Sequence, residues 1–163
     1  PVAEVAAAVS LAPEDLQPGA PPPTVVSVGL PFLFVELNDR QALRRARPNA
    51  AGFERLLALG LDPTFVHLFV RSRGDVDVHA RVFAPLDGPP EDPATGSANC
   101  ALAAWLARLD PAQEGDFLWR IAQGEDMGRA GLLEARVEKR GGQVVHAYIG
   151  GESVLVGEGA INI

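Results

Sequence analysis

Between Asn99 and Leu109 the chain reads NCALAAWLARL, a run of helix length in which only Asn99 and Arg108 carry polar side chains. A helix that is apolar all round has no face to offer water, so it belongs in a core with other elements around it. The flanking sequence decides what those elements are. TVVSVGLPFLFVEL (24–37), TFVHLFVR (64–71) and DVDVHARVFA (75–84) precede the run. DFLWRIAQG (116–124), GLLEARVEKRGGQVVHAYIGG (131–151) and SVLVGEGAINI (153–163) follow it, and all six segments read as strands. DVDVHARVFA alternates Val76, Val78, Ala80 and Val82 with Asp75, Asp77, His79 and Arg81, the pattern of a strand with one face in the core. The expected architecture is α+β, a mostly antiparallel curled sheet wrapped around a central buried helix.

The remaining segments add helices and turns. VAEVAAAVSL (2–11) spaces valines at 2, 5 and 9 for a short amphipathic helix, which APEDLQPGAPPP then breaks. Asp39 and Asn49 stand as capping residues before two surface helices, the second closed by Gly60. Gly29 and Pro31 mark a turn with special backbone needs, while Arg73-Gly74-Asp75 and Gly141-Gly142 mark hairpins. The proline-rich 18–23 stretch follows too little chain to separate two folding units, so residues 1–163 are read as one domain. A length of 163 residues with 47% hydrophobic content is enough for a core.

Charge and cysteine usage exclude several classes of function. The chain carries 21 acidic and 14 basic residues, a net charge of −7, which speaks against nucleic acid or anionic lipid as a partner. Cys100 is the single cysteine, so no intrachain disulfide forms, and the three histidines lack metal-ligand spacing. No metal is expected, and a reducing, cytoplasmic setting is. The first residues lack the basic start and apolar run of a signal peptide, and no stretch reaches membrane-spanning length, so no membrane role is expected.

The chemistry concentrates in front of the apolar helix, in PPEDPATGSAN (89–99). Thr95, Gly96 and Ser97 occupy its entry, where free N–H groups and the positive dipole end favour a carboxylate or phosphate. Gly96 lets a ligand approach the backbone, and Thr95 or Ser97 either caps the helix or donates a hydroxyl. Read alone, such a Thr or Ser is an ordinary N-cap. Two adjacent acids weaken that reading. Asp92, held extended before Pro93, hangs near the same mouth, where a carboxylate orients an amine or hydroxyl or moves a proton. Glu91 could do likewise, although a solvated surface acid is its simpler role. The TGSAN turn is not a Gly-x-Ser-x-Gly nucleophile elbow, and neither GLP nor GEGAI is a nucleotide fingerprint. His67, between Phe65 and Phe69, reads as packed, His79 as solvent-facing, Cys100 as a buried inert thiol, and His146 receives no role.

EDPATGSANCALAAWL (91–106) closely resembles the signature of the PhzF-like isomerase family of phenazine biosynthesis, which has the diaminopimelate epimerase fold. VSVGLPFLFVEL resembles the family's Thr-Gly-x-Pro strand segment, ARVFAP the strand before the signature, and QGEDMGRAGLLEARV its Gln-Gly…Met-Gly-Arg segment, all in the family's order. The resemblance implies two similar domains, each a sheet around a central helix, with the active site where two helix N-termini face each other. This chain then corresponds to the C-terminal half, the N-terminal domain lying outside it. The resemblance further implies cofactor-free acid–base chemistry on a small carboxylate-bearing metabolite. Asp92 becomes the proton relay or substrate orienter and Ser97 a substrate hydrogen-bonder. Thr95, Gly96 and Ser97 supply the anion-holding amides, with Glu91 and Gly29 also among the substrate-binding positions. Arg129 matches a family arginine for which a structural salt bridge is an equally good account. Val28 stands where the family usually has threonine, and the family's principal acid/base glutamate lies in the first domain.

The leading expectation is thus half of an acid–base isomerase cleft, inactive in isolation and completed by the N-terminal domain or a second chain. The alternative is a non-catalytic anion-binding or interaction module of the same fold, self-associating as a homodimer through its bare face. A serine hydrolase using Ser97 with His79 is the weakest of the three.

Overall fold

The computed structural model describes residues 2–61 and 65–161. Thr64, the first residue of one expected strand, and Asn162 and Ile163 at the end of another lie outside them. Strands β1 (Thr24–Ser27), β2 (Pro31–Glu36), β3 (Val66–Arg71), β4 (Val78–Phe83), β5 (Glu91–Asp92), β6 (Gly115–Gln123), β7 (Gly131–Arg140) and β8 (Gln143–Gly151) form one sheet. Its order is β1-β2-β3-β4-β6-β7-β8, with β5 added against β4. The sheet is curled, and helix α4 (Gly96–Leu109) packs against β1, β2, β6, β7 and β8. Helices α1 (Val2–Ala8), α2 (Arg40–Arg45) and α3 (Ala50–Ala58) lie on the other side of β2 to β4.

The two faces of β2, β3 and β4 explain their nearly unbroken apolar sequences. Phe32, Phe34, Phe69, Val78, Ala80 and Val82 turn toward α4, and Leu33, Val35, Val66, Leu68, Val70 and Phe83 turn toward the outer helices. Strands covered on both faces lose the alternation of a half-buried strand. The face of β4 expected in solvent is therefore covered: His79 is half-buried and Arg81 is buried, under the C-terminal end of α2. In β6 and β7 the alternation survives, because only one face meets α4: Ile121, Leu133, Ala135 and Val137 point in, while Leu118 and Arg136 point out. The caps read from sequence are present. Asp39 accepts from the N–H of Ala42 and Asn49 from that of Gly52.

The sheet is mixed. Pairs β1–β2, β3–β4, β4–β5, β6–β7 and β7–β8 are antiparallel, whereas β2–β3 and β4–β6 are parallel. A parallel pair needs a long crossover rather than a hairpin. Helices α2 and α3 supply one crossover, and β5 with α4 supplies the other. Nothing in a single strand's pattern announces that topology. Alanines on α4 let the sheet approach closely, and Trp105 fills the wider part of the core, stacked on Phe34 at 5.7 Å and edge-on to Phe69 at 6.1 Å.

Lys139 of β7 is buried, and its ammonium donates to the carbonyls of Ala107 (2.9 Å) and Asp110 (2.7 Å) at the C-terminal end of α4. The β7–β8 hairpin turns on Gly141 and Gly142, at φ +56° and +76°, as a two-residue primed turn requires. The strand expected at 153–163 is not found in its described part. Residues 152–161 have no regular structure, and Val154, Leu155 and Val156 are almost fully exposed. A strand needs a hydrogen-bonding neighbour and a face to bury, and the described residues offer this segment neither. Among the described residues no helix is long and apolar enough to cross a membrane, and no His, Cys, Asp and Glu side chains cluster as a metal site.

Candidate active site

Registers alone bring the sequence-derived residues to one end of the sheet. The β1–β2 turn holding Val28 and Gly29 sits beside the start of β3, which opposes the end of β4, which opposes β5. Val82 pairs with Asp92 and Phe83 with Glu91. Strand β6 runs parallel to β4, so Gln123 ends at the same place, and α4 opens there at Thr95. Gly124 makes the approach possible. Its φ is +82°, and a Cβ there would lie 2.3 Å from the carbonyl oxygen of Arg129 and 2.7 Å from that of Pro93, so only glycine fits.

At the mouth, the hydroxyl of Thr95 does not cap α4; it donates to Asp92 Oδ2 at 2.7 Å. Gln123 lies beneath this pair. Its Nε2 donates to the Asp92 carbonyl (2.7 Å) and to Thr95 Oγ1 (3.0 Å), and its Oε1 accepts from Thr95 N (3.2 Å) and Asn99 Nδ2 (2.6 Å). Asn99 Nδ2 also donates to the Thr95 carbonyl at 2.9 Å, and Asn99 Oδ1 lies 3.0 Å from His67 Nε2. His67, Asn99 and Gln123 are all fully buried. Burial pushes the His67 imidazole down to about 4, partly opposed by its hydrogen bond to Asn99, so it is neutral at neutral pH.

Two consequences follow for ligand binding. The first-turn N–H groups of Gly96, Ser97 and Ala98 have no hydrogen-bond partner among the described residues, while that of Thr95 is taken by Gln123. The open N–H groups thus begin one residue later than the sequence suggests. Asp92 Oδ1 likewise has no partner there, since only Oδ2 is tied by Thr95. A carboxylate with one anchored and one open oxygen stands beside an uncapped helix N-terminus.

The other candidates separate from this group. Both carboxylate oxygens of Glu91 are held by Arg81, each at 2.7 Å, in a largely buried bidentate pair whose arginine also donates to the Leu43 and Ala46 carbonyls. Glu91 is neither a solvated acid nor open to a ligand. Ser97 is exposed at the mouth, its hydroxyl has no partner among the described residues, and His79 is occupied 2.7 Å from Glu125, so Ser97 and His79 are not paired. Gly29, at φ +147°, bonds through its N–H to Ser27 Oγ, and its turn is exposed. Arg129 is exposed and makes no ion pair among the described residues, so the salt-bridge account of it is not met; its backbone N–H bonds to Gly124. Cys100 is buried, and desolvation pushes its thiol up. A cavity of about 990 Å³ runs from Val28 along β1 toward the start of β8, over Trp105 and Arg108, and is lined by none of Asp92, Thr95, Gly96 and Ser97.

Sequence reasoning missed His67, Asn99 and Gln123 as parts of the site. Asn99 had a usable signal, because an amide inside an apolar helix must find buried partners. Gln123 had none beyond its place in a recognisable segment.

The family model described as phenazine biosynthesis-like protein matches residues 2–159. A protein of Deinococcus radiodurans named as an uncharacterized isomerase is 36% identical over 96% of this chain and 50% of its own length. The trans-2,3-dihydro-3-hydroxyanthranilate isomerase of Pseudomonas chlororaphis is 40% identical over 50% of this chain and 29% of its own length. Among solved structures, a phenazine biosynthesis protein of the PhzF family from Bacillus anthracis superposes with a TM-score of 0.75, covering 96% of this chain and 56% of that one at 22% identity. The chain spans about half the length of the curated relatives it matches.

Proposed function

Because this chain belongs to the phenazine biosynthesis-like family, we propose that it forms one half of the cleft of an isomerase that moves a proton on a small carboxylate-bearing metabolite. The observation that carries the reading is the Thr95 hydroxyl, spent on Asp92 instead of on capping α4. That choice leaves an ionisable carboxylate and an uncapped helix N-terminus side by side. The amides of Gly96 and Ser97, with the Ser97 hydroxyl, receive the substrate carboxylate. Asp92 Oδ1 takes the N–H or O–H of the substrate or relays its proton. The turn at Val28 and Gly29 borders the substrate on the side of β2.

The reaction this arrangement suits breaks a C–H bond, leaves its electron pair in a system conjugated with the substrate carboxylate, and returns the proton to another carbon as the double bond moves. It requires no cofactor. The principal base comes from the other half of the cleft, an N-terminal domain or a second chain, so the half described here is inactive by itself, and the assembly is a cytoplasmic homodimer. The anion cradle needs only this chain, which keeps a second reading alive, that of a non-catalytic anion-binding module.

The test uses the protein carrying both halves and a dihydro-hydroxyanthranilate-type substrate in deuterium oxide. Deuterium enters the product, and Asp92→Ala lowers its rate by about 10²- to 10⁴-fold. Full activity in that variant refutes the role of Asp92. Carboxylate binding at Gly96 and Ser97 without any exchange favours the binding module.

A further inference from the structure

The polar groups behind the mouth carry an orientation that backbone chemistry settles. The Thr95 N–H can only donate and the Asp92 carbonyl can only accept, and both bond to the Gln123 side chain, at 3.2 and 2.7 Å. The Gln123 amide therefore has its oxygen toward Thr95 N and its nitrogen toward Asp92 O, with no allowed flip. The Asn99 atom facing Gln123 Oε1 must then be a donor, which agrees with its second bond, to the Thr95 carbonyl. Asn99 Oδ1 is thereby left facing His67 Nε2, so that nitrogen carries the ring proton. The other ring nitrogen, Nδ1, is buried without a partner among the described residues, as befits a bare lone pair rather than an N–H. At the opposite end Thr95 Oγ1 accepts from Gln123 and so gives its own proton to Asp92.

We propose that His67, Asn99, Gln123 and Thr95 form a one-way hydrogen-bond chain that positions the Asp92 carboxylate, with Gln123 as the positioning residue that sets its direction. Each link donates toward the next: His67 Nε2–H to Asn99, Asn99 Nδ2–H to Gln123, Gln123 Nε2–H to Thr95, Thr95 O–H to Asp92. Links aligned in one sense polarise one another, and the last meets a negative charge. Gln123 uses two donors and two acceptor positions at once, so it cannot turn without orphaning buried groups on both sides. The effect is to hold Oδ2 of Asp92 in place and leave Oδ1 for the substrate. This role rests on the isomerase reading, whereas the direction of the chain does not.

Direction is tested on the present chain by nitrogen-15 NMR of the His67 ring at neutral pH. A protonated Nε2 with an unprotonated Nδ1 is expected; a ring protonated on Nδ1 reverses Asn99 and Gln123 and overturns the proposal. Positioning is tested in the protein carrying both halves, with Thr95→Val, which deletes the last two links, from Gln123 and to Asp92, and Gln123→Glu, which keeps the shape of the side chain but removes its donors. Thr95→Val is expected to lower kcat by about 10- to 100-fold with KM changed by less than about threefold. Gln123→Glu follows in the same sense. A lowered melting temperature with kcat intact in Thr95→Val makes the chain merely structural and overturns the proposal. If Asp92→Ala is itself fully active, the isomerase role of Asp92 fails first; if Asp92 is essential and Thr95→Val is not impaired, only the positioning fails.

Discussion

The two ends of α4 are finished in opposite ways. At the C-terminal end the Lys139 ammonium reaches through the core to the carbonyls of Ala107 and Asp110, placing a cation on the negative end of the dipole. At the N-terminal end the natural capping residue, Thr95, turns its hydroxyl away, and three N–H groups are left for something else. Helix α2 shows no such contrast: Arg81 meets its C-terminal carbonyls and Asp39 caps its start. Both ends of α2 and the C-terminal end of α4 are thus met by side chains of the chain itself. The N-terminal end of α4, at the candidate site, has no side-chain cap among the described residues, and the hydroxyl that could have closed it bonds to a carboxylate instead.

The contrast breaks most readily at Arg81. Arg81→Leu leaves Glu91 buried and unpaired and is expected to cost about 3–5 kcal/mol in urea unfolding; a loss below 1 kcal/mol would mean that Glu91 relaxes into water. Next in size is the acid response of His67. It titrates near 4 in the folded protein against 6.5 as an exposed imidazole, so between those values the unfolded chain binds the extra proton. Stability from this group is full above pH 6.5, falls as the pH drops toward 4 and levels off below it, a change of roughly 3 kcal/mol. His67→Gln should remove that part of the profile, and superimposable acid limbs for the two proteins would refute a neutral buried imidazole. At the closed end of α4, Lys139→Met strands two carbonyls and should cost about 1–3 kcal/mol without altering carboxylate binding at the mouth. At the open end, Ser97→Ala should change stability by less than about 0.5 kcal/mol while weakening that binding. A stability loss at Ser97 matching that at Lys139 would erase the distinction between the ends.

Much of this was legible one residue at a time. An apolar run at 99–109 could only be a core helix, and Asp39, Asn49 and the Gly141-Gly142 pair announced the caps and the hairpin they form. Thr95, Gly96 and Ser97 fall at the entry of the apolar helix in the sequence itself, and Asp92, three residues before Thr95, is expected near the same mouth. The reading of Glu91 failed for a physical reason: its partner, Arg81, lies ten residues back on a strand whose outer face is covered by a helix from elsewhere in the sequence. The same covering turned the expected solvent face of β4 into interior. The strand expected near the C-terminus had the right composition but no neighbour among the described residues.

What the sequence determined by itself was local and hydrophobic. Most of the runs that extend, the helix starts and the helix that must be buried follow from periodicity, capping and the cost of exposing apolar surface. Only the tertiary structure decided where the buried polar groups point. Gln123, Asn99 and His67 sit on different elements, and the meaning of each depends on which donors and acceptors the other two leave unused. Hydrogen bonding is directional and saturable, so it is settled only when the partners have met in space. Burial needs no particular partner, and the sequence can therefore announce it in advance.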